Sequence, residues 1–286
     1  MNDTSMNDTS MNDTSMNDTS MNDTSSGSDH TAAQDSPSEL RKIAERIAHE
    51  VGIEILERRA AGFSWETKST STDVVTEIDT WSEERIVELI STARPNDGVL
   101  GEEGTTSEGT TGIIWVIDPV DGTTNFLYDL VGYSVSIGVE RDGSAIAGAV
   151  YDPLRAELYS AATGEGATRN GEPISASQQD NLAHALVATG FSYSADVRRE
   201  QAKSLITILP SVRDIRRFGG AALDLCQVAS GRVDAYFELD IQPWDGSAGA
   251  LIASEAGADV TLGEMTIASA PGIADELKAL LGRAVT

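Results

Sequence analysis

Residues 115–126, WVIDPVDGTTNF, constrain this chain more tightly than any other stretch. Trp115, Val116 and Ile117 have the aromatic and β-branched character of a buried strand, and the run meets an acid followed by proline. Asp118 is therefore expected at a strand end. Pro119 biases Asp118 away from helical geometry, and Asp121-Gly122-Thr123-Thr124 has the composition of a turn running into a helix start, where free amides suit phosphate. Two carboxylates beside an anion site repel each other and the anion. At about 4 Å and an effective dielectric near 20 each such pair costs roughly 4 kcal/mol, and a bound divalent cation removes the cost. The segment reads as metal plus phosphate. Taken alone, D-P-x-D-G-T-T is equally an acidic turn with a helix cap.

Charge narrows the partners. A net charge of -26, from 46 acids against 20 bases, repels nucleic acid and anionic membranes, and no apolar run approaches the ~18 residues that a membrane span needs. Only Lys42, Lys68, Lys203 and Lys278 are lysines. So large a charge destabilises a compact state unless salt screens it, and the Debye length falls to about 3 Å at 1 M salt. The composition predicts a cytoplasmic protein of a salt-filled, halophilic cell. Cys226 is the sole cysteine, so an intramolecular disulfide is excluded. Residues 1–25 are five copies of MNDTS with no apolar signal region, and the polar stretch to Pro37 is expected to be a disordered tail.

Helical spacing of Leu40, Ile43, Ile47, Val51 and Ile55 predicts a helix over 38–61, with Ser38 as cap. A short Val74-Val75 strand should deliver Glu77 and Asp79, followed by a helix over 80–93 that stops before Pro95. Val99-Leu100-Gly101-Glu102-Glu103-Gly104 reads as a strand with two acids at its tip. Hairpin signals at Arg141-Asp142-Gly143 and Asp152-Pro153 predict an antiparallel meander, and the mixture of helices and hairpins places the chain in the α+β class. Further on, 182–189 and 234–238 read as strands, and 196–209, 221–229 and a stretch opening at Trp244-Asp245-Gly246 read as helices. Cys226 and Arg232 have the C-x5-R spacing of thiol phosphatases, but a cysteine inside a helix cannot be ringed by free amides, so it is read as core. Nor are Asp118 and Asp121, three apart, a D-x-D pair. His30, His49 and His184 fall outside these motifs, which argues against a histidine nucleophile.

The central string resembles the W-x-[IV]-D-P-[IV]-D-G-T-x-N-[FY] signature of the inositol monophosphatase family, magnesium-dependent and lithium-sensitive sugar phosphatases. The resemblance covers roughly residues 38–280 and implies a layered α/β/α/β/α fold with mixed and antiparallel sheets, a phosphatase domain over 38–286 with lobes near 38–165 and 166–286, and a homodimer. It implies Mg2+, with Mn2+ as an alternative, at two to three ions per site, held by Glu102, Asp118, the Val120 carbonyl, Asp121 and Asp245. All are hard oxygen donors. Glu102 and Thr123 would orient the attacking water, with Asp79 supporting Thr123, and Lys68, eleven residues before Asp79, would lie near the metals. Substrate contacts would come from Gly122, Thr123, Ala221, Glu238, Asp245 and Lys68. Gly220 stands where the family carries serine or threonine, which bears on substrate identity. Family members act on inositol monophosphate, fructose 1,6-bisphosphate, nucleotide 3',5'-bisphosphates or histidinol phosphate, and archaeal members combine the first two. Inositol monophosphate is the favoured substrate, with fructose 1,6-bisphosphate second. A regulatory binding protein on the same fold is the reading from another class.

Overall fold

The computed structural model describes residues 35–68 and 74–284. The MNDTS repeats, residues 69–73 and residues 285–286 lie outside them. Helix α1 (Pro37–Ala61) starts one residue earlier than its pattern suggested, because Pro37 supplies a preset φ at the first turn and Ser36, not Ser38, is the cap. The Ser36 hydroxyl accepts from the Glu39 amide at 3.3 Å. One face of α1 buries Leu40, Ala44, Ile47, Val51 and Ile55.

A two-stranded ribbon, β1 (Trp65–Thr67) and β2 (Val74–Thr76), leads into α2 (Glu77–Ala93). Glu77 and Asp79, expected on the strand, sit in the first turn of this helix. The reason is a reciprocal cap: the Thr76 amide donates to Asp79 Oδ2 at 2.9 Å, and the Asp79 amide donates to Thr76 Oγ1 at 3.3 Å.

The next elements are β3 (Asp97–Gly101), β4 (Thr106–Gly109), β5 (Ile113–Asp121), α3 (Thr123–Leu127), β6 (Ser134–Arg141), β7 (Ser144–Asp152), β8 (Glu157–Ala162), β9 (Ala167–Arg169) and β10 (Glu172–Pro173). They form an eight-stranded sheet in the order β10-β9-β8-β7-β6-β5-β3-β4, antiparallel except for the β3/β5 pair. The hairpins at 141–144 and 152–157 are the expected ones. A 3-10 turn (Leu182–His184) takes the place of the first residues expected as strand, and β11 (Leu186–Thr189) follows. Then come α4 (Ala195–Ile208), β12 (Asp214–Arg216), α5 (Ala221–Ala229), β13 (Ala235–Leu239), α6 (Pro243–Glu255), β14 (Asp259–Thr261), β15 (Met265–Ser269) and α7 (Ala274–Ala284). The second large sheet runs β12-β11-β13-β15-β14 and is mixed, with β12, β11 and β13 parallel.

Three apolar cores bind these elements into alternating layers. The first joins α1 and α2 to one face of the large sheet through Trp115, Ile117, Val135, Ile137 and Tyr151. The second fills the space between that sheet's other face, α5, α6 and the smaller sheet, and the third lies under α7. Trp115 is fully buried, and its indole N–H donates to Asp97 Oδ2 at 3.0 Å, so its burial leaves no polar group unpaired. Helix α6 is rich in glycine and alanine for a steric reason. A Cβ at Gly138 would stand 2.5 Å from Ser247 Oγ, and one at Gly148 3.0 Å from Ala248 Cα, so the helix lies directly on β6 and β7. No helix among the described residues is long and apolar enough to cross a membrane.

Candidate active site

Asp118 does not end its strand as its sequence position suggested. Strand β5 continues to Asp121 through a bulge: Asp118 pairs with Ser136 and Asp121 with Ser134, so three steps on β5 match two on β6. Ser134 and Ser136 share a face, and the bulge therefore turns Asp118 and Asp121, which strict alternation would oppose, to the same side. Pro119 lies inside the bulge, where its missing N–H costs no ladder bond. Asp118 Oδ1 accepts the Val120 amide at 3.0 Å and locks the irregular turn.

The parallel β3/β5 pairing sets Gly101 opposite Ile117, so the turn after β3 delivers Glu102 beside Asp118. The Glu102 amide donates to the Ile117 carbonyl at 3.2 Å. Beneath the turn, buried Glu83 accepts the amides of Glu103 and Thr105 at 2.7 and 2.9 Å. Above it, Lys68 Nζ donates to Glu102 Oε1 at 2.9 Å and to Glu103 Oε1 at 2.6 Å. Thr123 Oγ1 has one proton and two acceptors, Asp79 Oδ1 at 3.0 Å and the Val120 carbonyl at 3.1 Å. Asp79 is thus the link between the cap of α2 and the start of α3.

The second half of the chain closes the site. At the start of α5 the amides of Ala221 and Ala222 donate to Asp121 Oδ1 and Oδ2 at 3.1 and 3.0 Å, two of the orphan donors of a helix N-terminus. A Cβ at Gly220 would stand 2.7 Å from Asp121 Oδ2, so the glycine lets α5 close on this carboxylate. Asp245, in the first turn of α6, accepts the Gln242 amide at 2.7 Å. Glu238, at the end of β13, accepts from the Tyr236 hydroxyl at 2.8 Å and lies where a Cβ on Gly190 would fall.

Lys68, Glu102, Asp118, Val120, Asp121, Gly122, Thr123, Ala221, Glu238 and Asp245 line one pocket of about 330 Å³. Of the residues singled out in the sequence, Asp79 alone stands behind the wall, touching it through Thr123. Arg217, Asp224, Tyr193 and Gln242 also line it and were not foreseen. Asp224 sits one helical turn after Ala221, a spacing that could have flagged it; the irregular segments around Tyr193 and Arg217 carry no comparable signal.

Burial dominates the electrostatics. Desolvation, then repulsion by Glu102, Asp121 and Asp245, pushes the Asp118 carboxyl well above its ordinary range. Asp121 is pushed up by burial against the opposing effect of the Ala222 amide, and Asp245 by burial and by Asp121. Burial likewise raises Asp79 to about 6, although bonds from Thr76 and Thr123 hold it down. Among the described residues no three acids converge into a ready-made cation cage. Glu102 is turned to Lys68, Asp121 to α5 and Asp245 to Gln242. The donor set still fits a hard divalent cation: four carboxylates share one small pocket at a cost in desolvation and repulsion that such a cation relieves.

Comparison with known proteins agrees with this geometry. Residues 36–283 match the inositol monophosphatase family. Inositol-1-monophosphatase SuhB of Mycobacterium tuberculosis is 44% identical over 280 residues, 88% of this chain and 97% of that one. The solved structure of Mycobacterium tuberculosis SuhB superimposes with a TM-score of 0.78, covering 87% of this chain and 98% of that chain. The Nus factor SuhB of Escherichia coli is 39% identical over 228 residues, 78% of this chain and 84% of its own. An inositol monophosphate bound structure of SaIMPase-II, 27% identical, gives a TM-score of 0.68 over 86% of this chain and 99% of its own. With the family matched across nearly all of its described residues, this chain belongs to the inositol monophosphatase family and is a phosphatase.

Proposed function

We propose that the chain is an Mg2+-dependent phosphomonoester hydrolase whose preferred substrate is inositol monophosphate, with Mn2+ as an alternative cation and fructose 1,6-bisphosphate as a second substrate. The observation that carries the reading is the gathering of Glu102, Asp118, Asp121 and Asp245 around one pocket beside the start of α3. Those four acids and the Val120 carbonyl would hold the ions. When bound, two or three such cations supply positive charge for the phosphate and acidify a water for in-line attack. The chain's own residues do the rest. Glu102 and the Thr123 hydroxyl orient that water, and Asp79, ionised above about pH 6, keeps the Thr123 hydroxyl aligned. Gly122 and Thr123 present amides to the phosphate, Lys68 adds a cation, and Ala221, Glu238 and Asp245 meet the substrate hydroxyls. The inositol monophosphate in the SaIMPase-II structure supports this choice of substrate.

The exposed Tyr128, Leu130, Val131 and Phe218 form an apolar patch near the pocket, tied together where Asn125 Nδ2 donates to the Val131 and Phe218 carbonyls. Here we place a homodimer contact, which light scattering checks; we infer a cytoplasmic, high-salt setting, which the net charge of -26 supports. The test of activity is phosphate release in molar KCl from inositol 1-phosphate, fructose 1,6-bisphosphate and adenosine 3',5'-bisphosphate, with and without Mg2+ and with Asp118→Asn as control. Mg2+-dependent turnover led by inositol 1-phosphate and lost in the variant is the expected result. A folded protein that turns over none of them sinks the proposal and favours a binding role of the kind that the name Nus factor gives the Escherichia coli relative.

A further inference from the structure

The turn that presents Glu102 carries a second acid, Glu103, which has no part in the roles assigned above. Its side chain is 10% exposed, and its amide is held by Glu83 Oε2 at 2.7 Å, so its backbone is anchored under the turn. Lys68 bridges the two acids, nearer to Glu103 (2.6 Å) than to Glu102 (2.9 Å). One ammonium therefore engages the carboxylate that the proposed cation site requires. A divalent cation that takes Glu102 through both oxygens displaces Nζ from Oε1, and one that takes Oε2 alone still competes with Nζ for the same charge. With Glu103 in place, Lys68 gives up one of its two carboxylate contacts; without Glu103 it would be left with neither, and that loss would fall on cation affinity.

We propose that Glu103 is a positioning residue: it retains Lys68 when a divalent cation takes Glu102, so that the ammonium passes from a bridge to a single anchor and stays at the pocket rim, where a phosphate enters. This rests on the cation site proposed at Glu102. The competing explanation is that Glu103 merely adds negative charge near the cation. The two differ in one respect. A bare charge acts whether or not Lys68 is present, whereas an anchor for Lys68 has no task once Lys68 is gone.

A double-mutant cycle on the full chain, without substrate, separates them: Mn2+ dissociation constants, read from the electron paramagnetic resonance signal of free Mn2+, for the wild type, Glu103→Gln, Lys68→Met and the double variant. The expected result is a loss of about fivefold in Mn2+ affinity for Glu103→Gln when Lys68 is present, and less than about twofold in the Lys68→Met background. Lys68→Met alone should tighten Mn2+ binding, because Glu102 is then free. Equal losses in both backgrounds, or no loss in either, overturn the anchoring role. Failure of Lys68→Met to tighten removes the competition on which the inference depends and overturns it whether or not Glu103→Gln folds. A wild type that binds no Mn2+ refutes the cation site itself, a separate and recognisable failure.

Discussion

Stripped of divalent cations, this protein should lose stability as pH rises through neutrality, against the usual behaviour of a chain whose acids are paired. Burial and repulsion raise Asp121 from 3.8 to about 7 in the folded state. A folded pKa above the unfolded one means that the native state holds a proton the unfolded chain has released, so stability is fullest below about pH 4 and falls as pH climbs through about 7. At about 1.4 kcal/mol per pKa unit, three units amount to roughly 4 kcal/mol lost by pH 8. Asp118 and Asp245 are raised by the same crowding, so their shares overlap with this figure and do not add to it. Against a typical stability of 5–15 kcal/mol, the loss is large. Urea unfolding in molar KCl with EDTA, at about pH 5 and about pH 8, captures the two units that lie between about pH 5 and 7, roughly 3 kcal/mol of the loss, and repeating the series in about 10 mM Mg2+ should restore the midpoint at the higher pH. Asp118→Asn should flatten the pH dependence and remove most of the Mg2+ gain, while its Oδ1 still accepts the Val120 amide. A cation-free midpoint that holds or rises between the two pH values would refute the claim that these acids are buried together at a cost.

Three further outcomes follow from single contacts. Thr123→Ala removes the hydroxyl that Asp79 aligns and should lower turnover of inositol 1-phosphate by about 10²–10⁴-fold with an unchanged circular dichroism spectrum, read in a steady-state phosphate assay. Gly138→Val drives a side chain into α6 near Ser247 and should cost about 1–3 kcal/mol in urea unfolding. Cys226→Ser should keep its turnover and lose about 1–3 kcal/mol of stability, since the thiol is fully buried in α5 and does not line the pocket; abolished turnover in a folded variant would reopen the thiol mechanism.

What could be read in the sequence was local and periodic. The helical spacing of Leu40, Ile47, Val51 and Ile55 specifies one buried face, and an acid-proline-acid string at the end of an apolar run specifies a place where charge and phosphate can meet. What could not be read was register. Whether Asp118 and Asp121 face together depends on one extra residue in β5 relative to β6, and nothing in Pro119-Val120 says that the strand continues. Helix α2 starts three residues before the expected position for a similar reason, since the reciprocal bond of Thr76 and Asp79 outweighs the β-branched run before it. Glu83 and Arg217 carry no local signal, and Asp224 only its spacing from Ala221, because their surroundings come from segments far away in the chain. Glu83, for instance, lies about 20 residues before the amides that it holds.

The pocket is also a seam. Glu102, Asp118 and Asp121 belong to the large sheet and its turns, whereas Glu238 and Asp245 come from β13 and α6 in the second half. Asp121 already spans the seam, because its two oxygens take the two amides that open α5. Those bonds are charge-assisted and satisfy donors that would otherwise be orphaned, so Asp121 serves packing even without an ion. A cation held by Asp118, Asp121 and Asp245 would add a tie between β5 and α6 to the one that Asp121 makes with α5, and would convert their repulsion into attraction. Cation affinity and the docking of the two halves are then linked: a substitution that loosens α6 on β6 and β7, such as Gly138→Val, should weaken Mn2+ binding although it touches none of the four acids proposed to hold the ions. If that variant is destabilised yet binds Mn2+ with unchanged affinity, the site does not depend on the seam.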